Sequence, residues 1–124
     1  MKLAANIGLG AYVQAIAESL ALGSKQGLAL DQMLDALSES ATATGWLKAK
    51  TSVLKGEKGD MTLDIRTLRK DIMSAVATGA LTGAPMPLSA GTLASLSAAV
   101  DGDYGSGDIA ELPKFFREVM LQNF

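Results

Sequence analysis

The sequence contains neither cysteine nor histidine. The first absence removes disulfides and thiol nucleophiles, the second removes imidazole bases, and together they remove the usual zinc ligands, so no metal site is expected. Proton transfer falls to Lys, Asp, Glu or Tyr, and a lysine serves near neutral pH only where its surroundings lower its pKa. A cysteine-free chain is compatible with a reducing compartment, and the cytoplasm is the default expectation. A dominant charge is missing too. Eleven basic and thirteen acidic residues give a net charge of −2. No strong field therefore draws the chain to nucleic acid or anionic lipid, and neither partner is expected. The one long apolar run, residues 3–22, carries Asn6, Gln14 and Glu18. A carboxylate inside lipid is costly, and no A-x-A cleavage site follows a charged start, so neither a membrane helix nor a signal peptide is expected.

What is present suits a single compact domain: 124 residues, 48% hydrophobic and 19% charged. At this length folding buries roughly two-thirds of the unfolded chain's surface, and intrinsic disorder is excluded as the main state.

Periodicity predicts helices throughout. Over residues 3–24, Ile7, Leu9, Val13, Ile16, Leu20 and Leu22 cover most of a helix circumference, so this helix needs burial on several sides. Gly8 and Gly10 cost about 1 kcal/mol each relative to Ala. They either admit a neighbouring backbone or reflect loose helix composition. Gly27 ends this helix, and Asp31 is expected to cap a second through Leu37, with Met33, Leu34 and Leu37 inward. Residues 43–54, with Trp46, Leu47 and Val53, read as a third helix, and the 55–60 run KGEKGD as a solvated turn. Leu63, Ile65, Leu68, Ile72, Met73, Val76, Ala77 and Ala80 mark a fourth, closed by Gly83, Pro85 and Pro87. Ser89 is expected to cap a fifth to about Val100, and Asp108 with Glu111 to open a last helix as a capping box. No segment alternates, which predicts an all-α bundle around the long first helix.

Three groups carry candidate chemistry. Lys2 and Asn6, at i and i+4, share a helix face, where an ammonium and a carboxamide can address one small ligand. Alone, K-x-x-x-N is a weak match that a solvated helix start also explains. Lys70 and Asp71 lie among apolar neighbours on the fourth helix, although a lysine flanked by Arg66 and Arg69 also fits a solvated surface. The glycines at 102, 105 and 107 resemble a phosphate loop only in glycine content: they follow a helix and lack the Lys-Ser/Thr pair, so they read as a plain loop.

Order and separation narrow these readings. Lys2 to Asn6, the stretch Ala15-Ile16-Ala17-Glu18-Ser19-Leu20, Gly27-Leu28 with the short helix after it, Lys70-Asp71, and Gly83-Ala84-Pro85-Met86-Pro87 occur in the sequence in that order. From Lys2 to Met120 the chain thus resembles the C-terminal helical domain of the β-hydroxyacid dehydrogenases, the 3-hydroxyisobutyrate dehydrogenase-like family. The resemblance implies a 6-phosphogluconate dehydrogenase C-terminal-domain-like fold, a homodimer, NAD or NADP as cofactor, and a small hydroxy or oxo acid as substrate. It implies Lys2 as the catalytic lysine, Asn6 as a substrate-binding residue and Lys70 as a cofactor-binding residue, with Asp71 orienting its helix. The family's dinucleotide-binding domain, with G-x-G-x-x-G after a first strand, and the glycine-rich turn before the lysine are not in this sequence. Residues 54–65 are also more charged than the family's stretch. The isolated chain is therefore expected to be inactive and to bind no dinucleotide. A free-standing helical dimerisation or interaction module is the alternative from another class.

Overall fold

The alanine- and leucine-rich N-terminal stretch, free of proline, forms the long helix α1 (Lys2–Lys25). The computed structural model describes residues 2–123. After α1 come α2 (Leu30–Glu39), α3 (Gly45–Leu54), α4 (Ile65–Thr82) and α5 (Pro87–Asp101). The C-terminal segment runs on through a 3-10 turn (Ile109–Glu111), a short α6 (Leu112–Phe115), a π turn (Phe116–Met120) and a second 3-10 turn (Leu121–Asn123). No strand occurs among the described residues, and none of their helices is long and apolar enough to cross a membrane.

The apolar circumference of α1 has a direct explanation. One side, with Val13, Ala17 and Ala21, packs with Ile65, Leu68, Ile72, Leu96, Ala99 and the C-terminal Leu112 and Phe115. The other side, with Ile16 and Leu20, packs with Met33, Leu34, Leu47 and Leu54 of α2 and α3. Two clusters thus share α1 as a common wall. A Cβ at Gly10 would stand 3.3 Å from Thr92 Cγ2 and 3.4 Å from Ile72 Cδ1, so this glycine does admit α4 and α5, whereas Gly8 meets nothing within 4 Å.

Helix ends follow the expected breakers with some shifts. Gly27 and Gly83 take positive φ values of 83° and 80°, which favour glycine. Thr44 caps α3 by accepting from Leu47 N–H at 3.1 Å, and Asp64 caps α4 by accepting from Thr67 N–H at 3.1 Å. Asp31 is not a cap: α2 begins at Leu30 behind Ala29, and Asp31 sits exposed in the first turn, where a negative charge complements the helix dipole. Ser89 is not a cap either, because Pro87 already opens α5 with its fixed φ, and Ser89 is buried inside the helix. Asp108 caps as expected, accepting from Ala110 N–H at 2.9 Å, but the helix behind it is broken into 3-10, α and π turns.

Asp108 also does much more. Its Oδ1 accepts from Thr62 N–H at 2.9 Å, Thr62 Oγ1 at 3.1 Å and Leu63 N–H at 3.3 Å, while its Oδ2 lies 3.2 Å from Lys50 Nζ. Both side chains of that pair are more than nine-tenths buried, and Lys50 also donates to Asp60 O at 3.1 Å. Alongside, Ile65 N–H donates to Gly107 O and Arg66 N–H to Gly105 O, both at 2.9 Å. The glycine-rich loop therefore satisfies the free N–H groups at the start of α4. Burial by itself raises the Asp108 carboxyl, but the N–H groups of Thr62, Ala110 and Leu63 and the Lys50 ammonium outweigh it and hold the pKa below the ordinary 3.8.

This packing generates three predictions. Lys50→Ala leaves the buried Asp108 charge without its ion and costs about 3–5 kcal/mol in urea denaturation. Because the folded pKa of Asp108 is depressed, its contribution is complete above the unfolded value and is lost as pH falls through the folded one. The difference between wild type and Asp108→Asn therefore shrinks below about pH 4. Gly8→Ala raises stability by up to about 1 kcal/mol, and Gly10→Ala gains less because its methyl meets Thr92 and Ile72. Equal denaturation midpoints for the two would show that Gly10 is not a close-approach site.

Candidate functional site

The start of α1 and the middle of α4 run side by side, which brings residues 65 apart in sequence into contact. Asn6 Nδ2 donates to Asp71 Oδ2 at 2.7 Å. Lys2 Nζ stands 3.9 Å from the same oxygen. The i, i+4 spacing of Lys2 and Asn6 puts both on the face of α1 that looks at α4, and Asp71 is the residue of α4 that answers them.

This arrangement fixes the Asn6 amide. An ionised carboxylate only accepts, so the amide nitrogen must face Asp71 and the carbonyl oxygen Oδ1 is turned away from it. Asp71 is mostly buried, with 14% of its side chain exposed, whereas the Lys2 side chain is 78% exposed. The ammonium is thus tethered loosely at the rim by a carboxylate that is itself well held. Such a trio offers one mobile proton donor, one hydrogen-bond acceptor and one anchored negative charge.

Of the residues singled out from the sequence, Lys2 and Asn6 are brought together and Lys70 is not. Lys70 is exposed on α4, about 100° around the helix from Asp71. Its neighbour Arg69 points elsewhere, donating from Nε to Ser97 Oγ of α5 at 2.8 Å. From its sequence context Asp71 is expected only to orient its own helix, whereas the structure shows it as the direct partner of Asn6. The signal was its position among Leu68, Ile72 and Val76, where a carboxylate needs a donor. Lys50 was missed altogether. It lies three residues after Leu47 and four before Leu54, on the buried stripe of α3, and an ammonium there demands a carboxylate.

A family model described as "NAD-binding of NADP-dependent 3-hydroxyisobutyrate dehydrogenase" matches residues 1–116. The chain belongs to this 3-hydroxyisobutyrate dehydrogenase family. Glyoxylate/succinic semialdehyde reductase 1 of Arabidopsis thaliana is 29% identical over an alignment of 121 residues that covers 95% of this chain and 42% of the reductase. The structure of a 3-hydroxyisobutyrate dehydrogenase from Salmonella typhimurium superposes with a TM-score of 0.82 at 24% identity, covering 93% of this chain and 40% of that one. The Mycobacterium tuberculosis 3-hydroxyisobutyrate dehydrogenase with L-serine gives 0.73 at 23% identity, covering 94% and 42%. The chain therefore spans about two-fifths of the length of these relatives. The all-α, 6-phosphogluconate dehydrogenase C-terminal-domain-like fold expected from the sequence is the fold observed.

The family model's description names NAD and NADP, and Lys70 is an exposed cation next to Asp71 in sequence. The glycine-rich loop at 102–107 does not offer a phosphate a row of free donors, because the N–H groups of Gly102, Asp103, Tyr104 and Gly107 already donate to the carbonyls of Ala98, Val100, Ala99 and Tyr104.

Proposed function

We propose that this chain is the substrate-contributing and dimer-forming domain of an NAD(P)-dependent β-hydroxyacid dehydrogenase or reductase acting on a small hydroxy or oxo acid. The observation that carries the reading is the convergence of Lys2 and Asn6 on Asp71 across two helices. In the reductive direction the Lys2 ammonium gives a proton to the substrate's carbonyl oxygen, and in the oxidative direction the free amine takes it from the hydroxyl. Asn6, with its nitrogen held by Asp71, turns its carbonyl oxygen and second N–H to the substrate. Asp71 steadies both groups and keeps a negative charge beside the ammonium between turnovers. Lys70 contacts the cofactor. When bound, the nicotinamide supplies or accepts the hydride, and that chemistry is its own.

The reading extends to what these residues do alone. A dinucleotide takes its affinity from strand ends, a helix N-terminus at the pyrophosphate and an acidic ribose partner, and one exposed lysine does not replace them. The isolated chain is therefore inactive and binds neither NAD(H) nor NADP(H). The uncovered side of α1, with Ala4, Ala5, Gly8, Ala15 and Leu22 exposed, supports self-association.

Joined to a dinucleotide-binding domain of the family, the chain tests these roles. Lys2→Ala lowers kcat by about two to four orders of magnitude, the usual worth of general acid–base help, with no change in folding. Lys70→Ala raises the cofactor Kd more than Arg69→Ala, whose loss falls on the contact with Ser97. Near-normal turnover with Lys2→Ala removes the catalytic assignment, and equal Kd changes remove that of Lys70. Calorimetry on the isolated chain shows no dinucleotide binding. In analytical ultracentrifugation the chain sediments as a dimer or higher oligomer, and a clean monomer at tens of micromolar contradicts the assembly.

A further inference from the structure

The segment between α3 and α4 is held in two different ways. Its ends belong to the neighbouring elements. Gly56 N–H donates to Val53 O at 2.9 Å and Glu57 N–H to Ser52 O at 3.0 Å, which closes the last turn of α3, while Leu63 O accepts from Ile109 N–H at 2.9 Å. Residues 58–62, between these ends, are all exposed. Among the described residues three hydrogen bonds fasten them to the body: Lys50 Nζ donates to Asp60 O at 3.1 Å, and the Thr62 N–H and hydroxyl donate to Asp108 Oδ1 at 2.9 and 3.1 Å. Gly59 lies so close to Val53 that a Cβ there would collide with Val53 Cγ2. The same stretch forms one wall of a cavity of about 510 Å³ whose other wall is the C-terminal segment.

All three bonds end on a buried ion pair that does not depend on them. Lys50 Nζ and Asp108 Oδ2 stand 3.2 Å apart, and both side chains are more than nine-tenths buried. Asp108 also keeps Ala110 N–H at 2.9 Å and Leu63 N–H at 3.3 Å, neither of which lies in the 58–62 stretch. When that stretch moves away, each charge retains its counter-ion, and the Asp60 carbonyl and the Thr62 donors pass to water, which bonds them instead. The large penalty of an uncompensated buried charge is therefore absent from this motion. Its cost is the net worth of three hydrogen bonds, which is small because water replaces each of them. A segment with few buried apolar contacts and exposed backbone bonds is of the kind that opens without the rest of a fold.

We propose that residues 58–62 are a strap that lifts off the Lys50–Asp108 pair as a unit while the bundle stays folded, opening one wall of the cavity and uncovering Val53. The pair is the fixed half of the clasp. It stays assembled whether the strap is down or up, so the strap returns to one defined position. The hinges are the α3 cap at Gly56 and Glu57 on one side and the Leu63–Ile109 bond on the other. Lys2, Asn6 and Asp71 take no part, and the motion is independent of the catalytic roles proposed for them.

Native-state hydrogen exchange of the 124-residue chain at neutral pH, read by nitrogen-15 NMR over a series of low urea concentrations, tests this. The Thr62 amide is expected to be protected and to exchange through an opening that is nearly insensitive to urea. The Ala110 and Val13 amides are expected to exchange through a larger, urea-sensitive one. Gly59→Ala, whose methyl meets Val53 only when the strap is down, raises exchange at Thr62 about tenfold to a hundredfold, the usual range for an overpacked contact, and leaves Val13 much less changed. Adding Val53→Ala to Gly59→Ala returns Thr62 close to its wild-type rate. Thr62→Val, which keeps the N–H and loses the hydroxyl, speeds exchange of the same amide about tenfold, the worth of one hydrogen bond to a charged group. The proposal is overturned if Thr62 and Val13 exchange through one opening with a common urea dependence, if the Thr62 amide shows no protection, or if Gly59→Ala leaves Thr62 unchanged or accelerates Val13 equally.

Discussion

One buried carboxylate organises an entire end of this bundle. Asp108 gathers the backbone of residues 62 and 63, the Thr62 hydroxyl, the N–H of Ala110 and the ammonium of Lys50. Taking an ion pair out of water costs several kcal/mol per ion in real proteins, and such a pair is tolerated only where further hydrogen bonds complete it. Here they do. The result is a junction at which α3, the turn before α4 and the C-terminal segment are all fixed by one side chain. Hydrophobic contacts alone would let these three slide, because they are non-directional. The carboxylate makes their relative position specific.

That specificity reaches the candidate site through α4. The N-terminus of α4 is stitched to the 105–109 loop by Gly105 and Gly107 carbonyls and by the backbone bond from Ile109 N–H to Leu63 O. Asp71 lies six residues beyond Ile65, about 9 Å along the axis at 1.5 Å per residue. A rigid start therefore sets the height at which Asp71 meets Asn6. On the other side, α1 is held by two separate hydrophobic clusters, so its position answers to α2 and α3 as well as to α4 and α5.

Much of this was legible in the sequence, for identifiable reasons. Helix existence followed from apolar periodicity, and the ends at Gly27 and Gly83 from the conformations only glycine adopts readily. The pairing of Lys2 with Asn6 followed from i, i+4 geometry. What escaped were interactions between elements. Ser89 looks like a cap by residue type, but Pro87 two positions earlier already fits the first helical turn. Asp108 looked like a local cap, and nothing in its neighbourhood announced that Thr62 and Lys50, 46 and 58 positions away, would share it. Asp71 was noticed for its apolar surroundings yet assigned to its own helix, because its partner lies on α1. The break of the last helix into a π turn has no sequence signature that periodicity alone reveals.

The single hydrogen atom that stands for a side chain at Gly10 acts as a spacer gauge. It sits one helical turn beyond Asn6, and the atoms it faces on α4 belong to Ile72, the residue next to Asp71. The gap between α1 and α4 is therefore measured where the two helices carry their polar partners. A residue with no chemistry of its own thereby calibrates the reach between a carboxamide and a carboxylate, and precision at this site is a property of interhelical distance before it is a property of the groups that meet there.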